Sequence, residues 1–440
     1  MPLRDSVRRL VAYAVLATAC GCAQAIELAF EPPAPDSPPQ RRLVADPARP
    51  ADAPESIVIE YQGIVDGPDT ALRLAIKALN ASRIAYGNDD PRTITPLINL
   101  GHARLRAGNV AHALKDFRTA AAMAESATGP RDPRLFEAWY GIAAAQFSAH
   151  IYDSAAESFE TALQFHRMKH GLFSADQLDV LEALAITDRM RAKAEAADAW
   201  QLKRLEVAGR VYAPVSVGMA WTYIDTGRWF REEGKLGDAL VLHDLALRAR
   251  EKLYGRESPL LIGALLDCAL SGGIQSRSGP RDASAPRSQQ EIAMNRALRL
   301  AEARRDGTVA ERARTLERIG DVNWVIGRRR AAIDAWLKGD ALQTGTAKGA
   351  LLDQPAFLVF FPPRIEHADA PAGAFLVAEF TVETSGRARN ARIVEASSAA
   401  FQREHDAAFL KSLRKARLRP RIVDGEPAPT TEVRYRLRPS

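Results

Sequence analysis

Residues 97–120 read LINLGHARLRAGNVAHALKDFRTA, in which Leu97, Leu100, Gly101, Val110, Ala113, Phe117 and Ala120 fall at helical spacings on either side of Gly108. Apolar residues three and four apart put one stripe on each of two helices, and the glycine between them supplies the turn. A window 42 residues further on returns the same alternation of large and small, through Trp139, Ile142, Ala143, His150, Tyr152, Ala155, Phe159 and Ala162. Gly87, Gly129 and Gly171 mark the same interval. A third window holds Leu181, Leu184, Ala185 and Ala197, with Gln201 where an aromatic is expected. A fourth holds Tyr223, Gly227, Gly234, Leu236, Ala239 and Ala246, and a last one Leu316, Ile319, Gly320, Gly327, Ala332 and Trp336. A fixed period of this length means stacked helix pairs. Each pair buries its stripe only against its neighbours, so such an array presents a long groove suited to peptides rather than an enclosed pocket. Ser271 to Arg287, SGGIQSRSGPRDASAPR, breaks the period and reads as a flexible insertion joining the two helices of one unit.

These positions resemble the tetratricopeptide repeat: large residues early in the first helix, a small residue where the helices touch, and Ala and Phe in the second. The 42-residue period with its junctions Tyr86-Gly87 to Pro91 and Tyr254-Gly255 to Pro259 is similar to the kinesin-light-chain variety. The resemblance covers residues 67–345 and implies a mainly α, helix-pair solenoid that binds protein or peptide partners.

The rest of the 440-residue chain is modular. With 47% hydrophobic and 26% charged residues, it has the composition of a folded soluble protein and not of a multi-span membrane protein. Its net charge of +6 is too dilute to point to nucleic acid. Arg4, Arg8 and Arg9 precede the apolar run Leu10 to Ala19, which is far shorter than the roughly 20 residues that cross a bilayer, and residues 1–25 read as a bacterial secretory signal. Ala23-Gln24-Ala25 suits ordinary signal peptidase. Ala17-Thr18-Ala19-Cys20 resembles a lipoprotein box, which makes Cys20 a candidate for lipidation and for a membrane tether; a retained anchor is the third alternative. Residues 26–66 are a Pro-rich linker, an extended spacer. Three cysteines cannot build a disulfide framework, and Cys268 reads as a small core residue.

After a second linker, residues 346–372, the period falls to two. Leu376, Ala378, Phe380 and Val382 share one face of a strand, Thr384-Ser385-Gly386 turns, and Arg387 to Glu395 is a second strand. Phe401 to Lys415 is an amphipathic helix, Asp424 to Pro427 a turn, and Val433 to Leu437 a last strand. The predicted unit, residues 373–440, is a small α+β domain, strand-strand-helix-strand, whose last strand adds beside the first in a three-stranded antiparallel sheet with a free edge on each side. The segments Phe380 to Val382, Ser385-Gly386, Ile393 to Ser398, His405 to Leu410, Leu413 to Pro420 and Asp424 to Pro427 resemble, in that order, the C-terminal domain of TonB, the energy-transducing protein of Gram-negative bacteria. Ala416 stands where that family usually has Trp, and Leu418 where it usually has Phe. The resemblance implies that the last strand, Thr431, Glu432, Val433, Arg434, Tyr435, Arg436 and Leu437, receives an extended segment of a partner by β-augmentation, with outer-membrane proteins as candidates. Arg434, Arg436 and Arg438, with Arg417, Arg419 and Arg421, form a basic face that defends the edge and is expected to be solvated.

Phosphate loop, nucleophile elbow and His/Cys metal quartet are missing from the sequence. His166 and His170 stand four apart, without the glutamate of HExxH or a third ligand, and read as a solvated helix end. The expectation is a non-catalytic periplasmic scaffold that takes protein or peptide partners, without cofactor, metal or nucleic acid. The alternative is a divergent TonB-type transducer, which would need a longer, retained N-terminal helix.

Overall fold

The 42-residue period shows first in the backbone turns. In the computed structural model, which describes residues 68–278, 287–305, 307–343, 352, 355–359 and 374–437, Gly108, His150, Ala192 and Gly234 take positive φ at 42-residue intervals, each closing the first helix of a pair. Gly87, Gly129 and Gly171 do the same at the ends of α1, α3 and α5, and Gly255 follows two periods later. Asp90-Pro91, Asp132-Pro133 and Ser258-Pro259 share one register, and in each the Asp or Ser side chain accepts a hydrogen bond from the backbone N–H two residues on. The proline lacks the N–H that a first turn leaves unpaired, and the capping side chain satisfies another.

The chain divides into two compact units at residue 211. The first contains α1 (Pro68–Tyr86), α2 (Ile94–Arg106), α3 (Val110–Thr128), α4 (Pro133–Ser148), α5 (Tyr152–His170), α6 (Gln177–Met190) and α7 (Ala194–Val211). From α2 onward these form three pairs. The second unit opens with three more, from α8 (Val217–Glu232), α9 (Leu236–Tyr254), α10 (Ile262–Ser278), α11 (Arg287–Ala303), α12 (Val309–Val325) and α13 (Arg329–Leu342).

Four of the six described pairs are closed by a ring laid on a small residue 16 positions earlier. A Cβ on Gly101 would stand 2.7 Å from the Phe117 ring, one on Gly227 would stand 2.6 Å from His243, and one on Gly320 would run into Trp336. Ala143 and Phe159, both fully buried, hold the same register. Phe117 also lies against Gly141 of the following pair, so one ring closes a pair and joins it to the next. The predicted insertion is shorter than its sequence suggested. Ser271, Gly272 and Gly273 continue α10, Ser271 is fully buried, and a Cβ on Gly273 would run into Ile326. Close packing overrides the glycines' weak helix propensity there; residues 279–286 lie outside the described residues.

Among the described residues, seven strands and α14 (Ala399–Lys415) complete the second unit: β1 (Ala356–Val359), β2 (Leu376–Val382), β3 (Ala388–Ala396), β4 (Arg417–Arg419), β5 (Arg421–Val423), β6 (Glu426–Ala428) and β7 (Thr430–Leu437). The main sheet is antiparallel with order β3-β2-β7. Phe401, Phe409 and Leu413 of α14 cover one face, in a core with Leu376, Ala378, Phe380 and Leu437. Two smaller ladders join β1 to β4 and β5 to β6, the latter around Asp424-Gly425, both at positive φ. The predicted linker 346–372 therefore needs correction. It contains β1, whose Phe357 stands 5.2 Å from the ring of Tyr435 and 6.1 Å from that of Phe380, so its apolar run is half-buried between a partner strand and the core. The signal segment, Cys20 and the linker 26–66 lie outside the described residues.

Two stability measurements check this register by chemical denaturation. Phe159→Ala is expected to cost about 3–5 kcal/mol, as for other buried aromatics. Ala192→Gly is expected to raise stability by roughly 0.5–1 kcal/mol, because alanine is strained at φ 56° and glycine is not.

Candidate partner-binding site

The predicted receiving strand lies where the alternation of its residues placed it. Among the described residues β7 pairs with β2 alone, through Leu376↔Leu437, Ala378↔Tyr435 and Phe380↔Val433, and it forms the outer edge of the sheet. Val433, Tyr435 and Leu437 turn toward the core, while Thr431, Glu432, Arg434 and Arg436 are exposed. Glu432 takes φ 57° where the register slips, a bulge near the start of the strand.

On the sheet face away from α14, Glu379 stands directly between Arg392 of β3 and Arg434 of β7. Its carboxylate accepts hydrogen bonds at 2.7 Å from Arg392 Nη2 and 3.0 Å from Arg434 Nε. Those two donors hold the Glu379 carboxyl below the usual carboxylate range. Arg436 is 3.6 Å from Glu395 and lies over the Phe375 ring at 4.4 Å. The expected continuous basic face is thus broken into cross-strand pairs. Arg421 is exposed and Arg438 lies outside the described residues.

Arg419 departs furthest from the reading. Only 8% of its side chain is exposed, and its Nη1 donates to Glu317 Oε1 at 2.9 Å and to Asp321 Oδ1 at 3.1 Å, both on α12. Trp336 of α13 donates its indole N–H to the same Asp321 oxygen at 3.0 Å. Around this polar centre Trp324, Trp336, Leu352 and Ile422 form one buried cluster. The tip of the β2–β3 hairpin enters it too: Gly386 has φ 71°, its carbonyl accepts from Leu418 N at 2.9 Å, and a Cβ there would strike Trp324. A buried guanidinium in a run such as Arg417-Leu-Arg-Pro420 has no local signature, because the carboxylates that select it lie about a hundred residues earlier.

A second polar cluster links the fourth and fifth pairs. Asp267 of α10 accepts from Arg228 Nη2 at 2.8 Å and from Arg231 Nη1 at 2.9 Å, and these cations keep it ionised despite full burial. His243, at the ring position where other pairs carry Phe or Trp, bonds through Nδ1 to Ser271 Oγ at 2.9 Å. Burial pushes its pKa down to about 4. Cys268 of α10, read from the sequence as a core residue, is half-buried, and desolvation pushes its thiol up. His166 is not at a solvated end as predicted. It is 2% exposed, because α4 lays Phe136 edge-on against it with ring centres 4.6 Å apart; His170 is exposed.

No protein-family model and no curated protein matches the chain. Among solved structures, it is similar to BtubC (BKLC) from P. vanneervenii, at 20% identity over 55% of this chain and 97% of that one with a TM-score of 0.43. It is also similar to the apo form of RapI, at 12% identity over 66% and 76% with a TM-score of 0.47. A putative kinesin light chain from Podosopora anserina, with nearly identical TPR-like repeats, matches at 12% identity over 49% and 99% with a TM-score of 0.41. The array is one of tetratricopeptide-like helix pairs on its own evidence, the 42-residue turn register and the ring-on-small contacts.

His243 offers a check of the polar cluster. A folded-state pKa of about 4 against 6.5 means that its contribution is present above pH 6.5 and is lost as pH falls toward 4. His243→Phe should remove a loss of about 3 kcal/mol over that window, measured as the difference between the pH–stability curves of variant and parent.

Proposed function

We propose that the protein is a non-catalytic interaction scaffold of the Gram-negative periplasm, with the helix-pair array and a TonB-like terminal domain each presenting a surface to protein or peptide partners. The observation that carries the reading is β7: an eight-residue strand with, among the described residues, a neighbour on one side only and alternate side chains committed to a core. An extended peptide laid against it would gain main-chain hydrogen bonds, and the outward side chains would tune selectivity. The arginines there are already matched by Glu379 and Glu395, so affinity would come mainly from the backbone. The basic n-region, short apolar run and A-x-A or Cys20 cleavage signals support export, with a tether if Cys20 is lipidated. Outer-membrane proteins are the partner class that the TonB resemblance favours.

Photo-crosslinking tests this in the native host. A crosslinker placed at Thr431 or Arg436 should capture a partner, and one of Val433→Pro and Arg434→Pro should abolish capture with the domain still folded. Which of them does so depends on which backbone N–H points outward. Capture undiminished in both folded variants would rule out strand addition.

A further inference from the structure

The two edges of the main sheet are not equivalent. The register of β3 with β2 slips between Val377 and Ala378 and again between Glu379 and Thr381, and Asn390 in the second slip takes φ 53°. Such bulges bend a strand and spoil its edge for further pairing. β7 slips once, near Glu432, and from Val433 to Leu437 it pairs with β2 without a break.

The direction of the main-chain groups along that unbroken stretch follows from β2. Ser397 N donates to Phe375 O at 3.0 Å and Glu383 N to Arg387 O at 2.9 Å, so at both ends of β2 the odd-numbered residues turn their backbone groups toward the β3 side. Backbone direction alternates along a strand. Leu376, Ala378 and Phe380 therefore turn theirs toward β7, to their partners Leu437, Tyr435 and Val433. The N–H and C=O groups of Arg434 and Arg436 point the other way, to the side where no strand lies among the described residues. The two residues that offer backbone groups to an incoming strand are thus the two whose side chains lie on the face away from α14.

Rows of side chains cross the three strands on that face. One runs Arg392, Glu379, Arg434 and the next Glu395, Val377, Arg436, so each ends at the β7 edge on an arginine. Both arginines have a carboxylate behind them, yet 67% of the Arg434 side chain and 45% of that of Arg436 remain exposed. Glu432, the other charge on this strand, lies in the bulge and outside the regular stretch.

We propose that the segment received at β7 is acidic at alternate positions: an extended peptide with Asp or Glu beside Arg434 and beside Arg436, and an apolar residue between them beside Tyr435. This rests on the reading of β7 as a docking edge and adds which peptide the edge takes. A fourth strand, about 4.8 Å from β7, brings an acidic side chain within reach of each arginine and continues the first row as plus, minus, plus, minus. Because side chains alternate with period two, the pattern is the same for either strand direction. The middle residue falls on the core side beside half-buried Val433 and Tyr435, where a charge would be desolvated without a partner. Backbone hydrogen bonds supply most of the affinity and the acidic pair supplies the choice among peptides.

Fluorescence anisotropy on the full-length protein tests this with short synthetic peptides of alternating Thr and Val, blocked at both ends. In the first, two Thr one residue apart are replaced by Glu; in the second, the same two are replaced by Gln; in the third, two Glu stand three apart and fall on opposite faces. The first should bind about fivefold more tightly than the second at low salt, as two exposed ion pairs allow, and the advantage should shrink at high salt. The third should lose most of that advantage, and so should the first on the double variant Arg434→Gln, Arg436→Gln. Arg434→Pro, which removes an outward N–H, should weaken all three peptides alike. Equal affinity for the first two peptides would overturn the acidic preference, and if both are lost in folded Arg434→Pro the docking edge stands without it. A glutamate preference undiminished in the folded double variant would place it elsewhere on the chain and overturn the proposal as well. Binding of none of the peptides would also overturn it, with the docking edge then judged by capture from Thr431 and Arg436. If the double variant does not fold, Arg436→Gln alone decides.

Discussion

A ring resting on a residue too small to push it away is the contact on which the array depends. Phe117 on Gly101, His243 on Gly227 and Trp336 on Gly320 repeat one geometry at a separation of 16 residues, and each lets two helices approach closely enough to exclude water along a shared stripe. Phe117 reaches one helix further, to Gly141, so the same side chain sets the pair and its attachment to the next. Stability in such an architecture is close to a sum of local terms. That sum leaves open what happens at the last ring, where no further pair follows.

The terminal domain answers that need. Its hairpin tip, β4 and β5 bring Gly386, Arg419 and Ile422 to α12 and α13, where Trp324 and Trp336 would otherwise face water. Terminal repeats of solenoids ordinarily carry a polar outer face for this reason. Here the two tryptophans are covered instead, and a charge is buried with them. A buried ion pair adds little net stability, because desolvation offsets its attraction, but it discriminates strongly against arrangements that leave one partner alone. Arg419 therefore determines where the domain docks more than how tightly.

Charge is handled differently on the open face of the sheet. Glu379, itself covered, is placed opposite Arg392 and Arg434, whose guanidiniums remain exposed and hydrated, and the three tie three strands together. Among the described residues no strand lies beside the outer edge of β7, and Phe357 and Phe409 pack behind Tyr435. Exposed arginines along such an edge discourage unspecific pairing.

The helix pairs, their turns, the three-stranded order and the edge position of β7 were all legible in the sequence, because each follows from local rules: apolar spacing, glycine or proline at a turn, alternation along a strand. The turn marked by Gly108 and Gly234 recurs at positive φ at His150 and Ala192, so the register holds even where glycine itself is absent. What sequence alone did not show lies in contacts between distant segments. Arg419 read as one more surface arginine until Glu317 and Asp321 were brought beneath it, and β1 read as linker until β4 stood beside it. His166 likewise looked solvated until Phe136 covered it. Local spacing determines which face of an element is apolar, whereas only the tertiary structure decides which charge is buried, since burying a charge depends on partners that spacing along the chain does not record.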